Sequence, residues 1–407
     1  MAENTQITIM EDLSLIETLL SLPDVKLEGM EIKGRKIMLT CKSVSSDQTC
    51  PHCGDNQEKE VSRYYQRKIR DLNISGREVW LLVQVRQYHC SCGHYFHESL
   101  DWVAAGKHYS KRQAKFIFEC CARQAFKEVA AIHNMAVQTV YRIYYAYAKS
   151  ILDLPQRYKE VRYLGIDEMA FQKGRRSYCC VLVDLEKGRQ LDILPNRDRD
   201  TLVSHFERLG EDFRNQIIEV CADMHNVYHE VFELCFPRAR VTVDRFHIVQ
   251  LLNKPLDRIR RKLKKQYPRE QAFRRIKWIV FKQPKNLSEE QKGALRKAFE
   301  CSPQLEKAYQ LRNQFHAILE SSTSKAQAEI YLKKWQERVG KSHQEEWLPF
   351  LRTIKKWKDK FLNFVESRIS NAATEGLNNL IRYIKRISFG MTNFENMRLR
   401  VLTTQYY

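Results

Sequence analysis

A chain of 407 residues with 43% hydrophobic content can bury the cores of about two to four domains. Its 69 Lys and Arg against 49 Asp and Glu leave a formal charge of +20, which favours a polyanionic partner. No run approaches the roughly 18 apolar residues that cross a bilayer, and the start, MAENTQITIMEDL, lacks the features of a signal peptide. The expectation is a cytoplasmic protein with no membrane partner, whose twelve cysteines stay reduced.

Residues 1–104 read as a β-rich domain after a short helix, Ile9–Leu20, with β segments such as Gly29–Lys42 and Arg77–Tyr88. Two close cysteine pairs, Cys50/Cys53 in CPHC and Cys90/Cys92 in CSC, lie 37 residues apart and can converge on one structural zinc as a zinc ribbon. The second pair has one intervening residue rather than two, so His89 or His94 is an alternative ligand. A site with four protein ligands has no open position and would build a fold rather than catalyse.

Residues 105–157 read as helical, and AFKEVAAIHNMAVQTVYRIYYAY has the rhythm of a helix-turn-helix. Phe126, Val129, Ala130 and Ile132 would be the apolar side of the first helix, and His133-Asn134-Met135 the turn. Val137, Val140, Ile143 and Tyr144 would face inward from the second helix. Gln138, Thr139, Tyr141 and Arg142 would then be exposed as groove-reading residues.

Over residues 158–247 the period changes. Strands are expected at Tyr163–Asp167, Tyr178–Leu185, Gln190–Leu194, Ile217–Cys221 and Arg240–Val243, with helices at Asp200–Leu209 and Val227–Phe236. The order β-β-β-α-β-α-β, three strands before alternation begins, is that of an RNase H-like core. Such a sheet sets the middle of its first strand beside the end of its fourth. Residues 248–361 follow as an all-α basic insertion: residues 251–300 alone hold 16 Lys and Arg against 5 Asp and Glu. Residues 362–407 would return to the core on a helix that Ser370 or Asn371 can cap. The fold expected is therefore multidomain α/β: a zinc ribbon, a helix-turn-helix, then an interrupted RNase H-like core.

Three acids fall at recognisable places in that plan: Asp167 in YLGIDEMAF, Asp223 in VCADMHN, and Glu375 in NAATEGLNNLI, 152 residues beyond Asp223. Carboxylates suit hard divalent ions, and such a trio can hold two Mg2+ or Mn2+ for in-line chemistry on phosphodiesters. Glu168 competes with Asp167, since adjacent strand residues point to opposite faces. Asp184 and Asp192 are expected at hairpin turns. Asp244 and His247, in DRFH, could bring an imidazole to the scissile phosphate or to a ligating carboxylate; the alternative is a helix cap at Asp244 with a buried His247. There is no Walker loop, Gly-x-Ser-x-Gly elbow or His-Glu-x-x-His pair.

Over nearly its whole length the chain resembles bacterial insertion-sequence transposases of the DDE class, the ISL-three family. The resemblance rests on CPHCG…CSCG, LGIDEMAF, CADMHNVY through FPRARVTVDRFHIVQ, and SNAATEGLNNLIRYIKRISFGMTNFENMRLRVL. It implies Asp167, Asp223 and Glu375 as the catalytic acids. It also implies recognition of terminal inverted repeats in double-stranded DNA by the zinc ribbon and helix-turn-helix, metal-dependent cleavage, and joining of the freed 3′-hydroxyls to target DNA. Lys and Arg of the insertion, with Arg382, Lys385, Arg386 and Arg398, would hold phosphates, with loss of affinity as salt rises. A nucleoid-associated homo-oligomer, at least a dimer on DNA, is implied as well. The competing expectations are a domesticated DNA-binding protein that no longer cleaves, and an RNase H-like nuclease without strand transfer.

Overall fold

The computed structural model describes residues 6–9, 13–45, 48–104, 106–171 and 178–404. It divides into two compact units, residues 1–152 with 383–407, and residues 153–382.

The first unit contains a six-stranded sheet. Strands β1 (Gln6–Ile9), β2 (Val25–Lys33), β3 (Lys36–Ser43), β4 (Lys59–Ile74) and β5 (Arg77–Cys90) lie in the order β1-β2-β3-β5-β4, and β6 (Tyr95–His97) also pairs with β5. Helix α1 is Ser14–Leu20, so Ile9 belongs to a strand and not to the expected helix, while Met10 to Asp12 lie outside the described residues. Strand β4, absent from the sequence expectation, forms an edge of the sheet, and its first half is largely exposed. An exposed edge imposes no apolar alternation, and its Lys and Arg residues discourage further strand pairing. Leu39, Ile69, Leu81 and Val83 fill the core beneath.

Helices α2 (Lys111–Arg123), α3 (Phe126–Ile132) and α4 (Val137–Ile151) follow. The hydroxyl of Ser110 caps α2 by accepting from the Gln113 amide at 3.1 Å. Asn134 turns the chain between α3 and α4 at a left-handed φ of 49°, a conformation asparagine tolerates well. Its amide donates to Glu78 of β5, and Arg70 of β4 donates to the His133 carbonyl at 3.0 Å, so the sheet anchors the turn. Val129, Val140, Ile143 and Tyr144 are buried as expected, but Ile132 and Val137 are exposed. Both flank the turn, at the end of α3 and the start of α4.

The second unit begins with α5 (Leu154–Tyr158) and a mixed sheet of β7 (Tyr163–Ala170), β8 (Tyr178–Asp184), β9 (Arg189–Leu194), β10 (Glu219–Ala222) and β11 (Arg240–Val243), ordered β11-β10-β7-β8-β9. The first three strands are antiparallel, whereas β10 runs parallel to both β7 and β11. Helices α6 (Arg199–Arg208), α7 (Gly210–Gln216, not expected from sequence) and α8 (Asn226–Cys235) make the crossovers. Strand β7 extends three residues beyond its expected end, which places Asp167 within the strand. Asp192 is buried inside β9 rather than at a turn, while Asp184 does organise one: its carboxylate accepts from the amides of Glu186 and Lys187 at 3.1 Å.

From Arg245 onward the described residues hold only helices: α9 (Arg245–Gln266), α10 (Ala272–Arg275), α11 (Glu289–Cys301), α12 (Pro303–Ser321), α13 (Lys325–Ser342), α14 (Leu348–Lys356), α15 (Lys358–Ser367), α16 (Ala372–Ile387) and α17 (Phe394–Thr404). Trp335, Trp347, Phe315 and Phe361 lie in the core that α9 to α15 share. The division between units falls within α16, and α17 belongs with α2 to α4: buried Arg400 donates to the carbonyls of Cys121 and Gln124 at 2.9 and 2.8 Å. No described helix is long and apolar enough to cross a membrane.

Candidate active site and metal centres

Parallel pairing of β7 with β10 sets Gly165 opposite Cys221, so Asp223, just past the end of β10, comes to the same edge as Asp167. Helix α16 brings Glu375 to the cleft that Asp167 lines, a space of 440 Å³ that also borders Asp244, His247, Asn378 and Arg382. Asp223 is linked to this group through His247, whose Nε2 lies 3.8 Å from Asp223 Oδ2 while its Nδ1 lies 3.1 Å from Asp244 Oδ2. Asp244 occupies the N-cap position of α9 without capping it. Its other oxygen accepts instead from the Asn371 amide at 3.2 Å.

Glu168 borders the same cleft, contrary to the expectation that one member of the pair would be excluded, but its carboxylate is held by Arg197. Among the described residues, no Lys or Arg pairs with Asp167. It accepts from the Glu168 amide at 2.8 Å and from Asn378 Nδ2 at 2.6 Å. Burial is the largest influence on its carboxyl and, with the nearby Asp244 charge, raises its pKa despite those bonds and His247. Burial opposes charge on His247, yet the bond to Asp244 and the fields of Asp223, Asp244 and Asp167 outweigh it and raise the imidazole pKa. A half-buried acid with no cation paired to it among the described residues, in a pocket rich in oxygen donors, suits a hard divalent ion. The carboxylates are not drawn together: among the described residues, only Cys50, Cys53, Cys90 and Cys92 place three or more ligand atoms all within 4.8 Å of one another.

Those four sulfurs are the second candidate centre. Cys50 and Cys92 lie 3.8 Å apart, and Cys53 and Cys90 3.6 Å. Zn–S bonds of about 2.3 Å in a tetrahedron require sulfurs about 3.8 Å apart, so the cage fits zinc. Each pair sits on a tight turn closed by glycine at positive φ: Gly54 at 76°, donating to the Cys50 carbonyl, and Gly93 at 82°, donating to the Cys90 carbonyl. His89 stacks on Tyr95 and His94 on His52, and neither joins the cage.

On α4, Gln138 and Arg142 are exposed, but Thr139 and Tyr141 are half-buried, and the Tyr141 hydroxyl accepts from Asn396 of α17. The expected exposure is therefore found at two of the four residues, and at Tyr141 α17 packs where sequence periodicity showed open solvent. Arg382 and Arg386 are exposed, Lys385 is half-buried, and Arg398 is paired with Glu395 at 3.2 Å.

Residues 164–401, more than half of the chain, match the ISL3 family model described as "Transposase". The chain belongs to the ISL3 family of transposases. Residues 46–93 match the zinc-finger of transposase IS204/IS1001/IS1096/IS1165, and residues 98–148 the helix-turn-helix domain of transposase family ISL3. The transposase for insertion sequence element IS1001 of Bordetella parapertussis is 26% identical over 382 residues, covering 92% of this chain and 93% of that protein. The transposase for insertion sequence element IS1557 of Mycobacterium tuberculosis is 24% identical over 373 residues, 84% of this chain and 82% of that one.

In this transposase, three further residues shape the site. Asn371 does not cap α16 with its side chain: Nδ2 donates to the Ile166 carbonyl at 3.0 Å, and Oδ1 lies against Gly165. A Cβ at Gly165 would fall 2.6 Å from that oxygen and 2.6 Å from Leu185 Cδ2, so any larger residue must shift the Asn371 and Leu185 side chains. Asn378, 211 residues beyond Asp167, holds its carboxylate. A sequence signal that could have found Asn378 is its position three residues after Glu375, one turn along the same helix face.

Proposed function

We propose that this transposase cleaves DNA at the ends of an insertion element and joins the freed 3′-hydroxyls to target DNA, with Asp167, Asp223 and Glu375 holding two Mg2+ or Mn2+ ions. The observation that carries the reading is the convergence of Asp167 and Glu375 on one cleft, with Asp223 tied in through His247. Bound there, the ions would supply positive charge to the attacking and leaving oxygens of an in-line displacement. Asn378 and the Glu168 amide orient Asp167. Asp244 holds the His247 ring so that Nε2 faces Asp223, and with a proton on both nitrogens the imidazolium steadies both carboxylates. Arg382, bordering the cleft, is placed to receive a phosphate of the bound strand.

The mixed sheet is read as an RNase H-like core and the helices from 248 to 361 as an insertion within it; the β-β-β-α-β-α-β order supports this, with α7 as an added turn. The domain limits proposed are 1–104, 105–157, 158–247, 248–361 and 362–407. The zinc ribbon and the exposed Gln138 and Arg142 of α4 would recognise the terminal inverted repeats, and a homo-oligomer of at least two copies would hold two ends together in the bacterial cytoplasm.

The test is nicking of a labelled element end by purified protein with Mg2+. Asp167→Ala, Asp223→Ala and Glu375→Ala should each lower the rate by about three orders of magnitude, the scale of several kcal/mol of transition-state charge stabilisation, while DNA binding persists. Metal-dependent nicking that survives all three substitutions would refute the assignment.

A further inference from the structure

Asp223 and His247 also line a second cleft, of 490 Å³, together with Lys254, Arg352, Lys356 and Trp357. Its cations come from regular spacing. Lys254 follows His247 by two turns on α9, and Arg352 and Lys356 are one turn apart on α14, so each pair shares a helix face. All three are exposed, and among the described residues none of them makes an ion pair. Nearby cations behave differently: Lys262 pairs with Glu346, Lys358 with Glu329 and Lys360 with Glu233. Two like charges at i,i+4 destabilise a helix slightly, and here no carboxylate relieves them. Lys356 has neutral partners alone among the described residues: Asn226 Oδ1 at 2.8 Å and the Trp357 ring, whose centroid is 5.1 Å away. Asp223 is the single carboxylate among the lining residues, and it faces the catalytic group as well.

The acidic cleft and this basic one thus share His247, with Asp223 beside it. We propose that the basic cleft binds the phosphodiester backbone of the DNA strand that carries the scissile phosphate, with Lys254, Arg352 and Lys356 receiving the phosphates next to the reacting one. This rests on the transposase reading above. A phosphorus between Asp167 and Asp223 lies where the two clefts meet, so the strand continuing past it enters the basic side. The cations then offset the repulsion that the acids impose on the same strand.

The experiment uses the full chain without metal and a short fluorescent single strand of mixed sequence, with binding read by anisotropy across a salt series. The variant Lys254→Gln/Arg352→Gln/Lys356→Gln should bind on the order of tenfold more weakly, and the slope of log affinity against log salt should flatten by about 2, the effect of three lost phosphate contacts on a single strand. A control of equal charge loss elsewhere on α9, Arg258→Gln/Lys264→Gln/Lys265→Gln, should leave the slope near wild type, and both triple variants should keep the wild-type melting temperature. Equal loss in both variants, or no loss in either, overturns the proposal. Displacement of the strand by inorganic phosphate at equimolar concentration would reassign the cleft to a lone anion and overturn it too. Nicking by Asp167→Ala is measured separately: if it persists while the slope difference holds, the chemistry assigned above fails and the strand site stands.

Discussion

The two candidate metal centres of this transposase are built in opposite ways. The cysteine cage is assembled by two tight turns whose own glycines and amide bonds close them, and its sulfurs already stand at a tetrahedral spacing. The carboxylate site is assembled from a strand, a strand end and a distant helix, and its acids are held by Asn378, His247 and backbone amides without closing on one point. A centre that builds a fold can be closed and local. One proposed to act on a large substrate must stay open, and so depends on the tertiary contacts that bring its walls together.

That contrast can be broken first at the cysteines. Cys53→Ala, or treatment with a strong chelator, should unfold residues 1–100, because the free energy of structural zinc binding, about 10 kcal/mol or more, is then lost from folding. Loss of sheet signal by circular dichroism checks it, as does zinc content near one per chain in untreated protein. On the carboxylate side, Gly165→Ala should cost about 3 kcal/mol in thermal unfolding and depress nicking, since the added methyl must displace Asn371 or Leu185. A variant of wild-type stability would show that α16 is not pressed against β7.

A pH series sharpens the comparison from the other direction. Glu98 is buried; burial alone would raise its pKa, but bonds from Arg86 and Ser43 and the Arg86 amide prevail and hold it below the usual carboxylate range. Its stabilisation is therefore full above an unfolded value of about 4.3 and is lost as the pH falls through the lower folded value. Glu98→Gln should lower stability by about 2 kcal/mol at neutral pH, with the gap from wild type closing below about pH 4. A gap that stays constant with pH would contradict the ion pair. The smallest effect is expected at Asn378. Asn378→Ala should reduce kcat for nicking about tenfold, or about 1.4 kcal/mol, with KM for DNA unchanged, and Asn378→Gln should restore part of it. Equal changes in kcat and thermal stability would mark a packing role instead.

Much of the fold was legible because the patterns are local. Cysteine spacing with a following glycine marks a metal turn, and the apolar faces of α3 and α4 and the strand order β7 to β11 follow from periodicity. Where one surface was exposed or doubly buried, that signal failed. Edge strand β4 carries no alternation, Asp192 lies among the buried residues of β9, and Tyr141 meets a residue of α17 that is 255 positions away in sequence.

Sequence by itself determined which residues could do chemistry here: cysteines in glycine-closed turns, acids beside strand ends, and cations at helical spacing. Only the tertiary structure decided which of them meet. Arg197 pairs with Glu168, Asn378 takes hold of Asp167, the missing side chain at Gly165 leaves room for the Asn371 amide just before α16, and α16 brings Glu375 to the same cleft. The physical reason is that residue type and spacing act over a turn or a strand pair, whereas the surroundings of a carboxylate are set by whatever chain, however remote, packs against it.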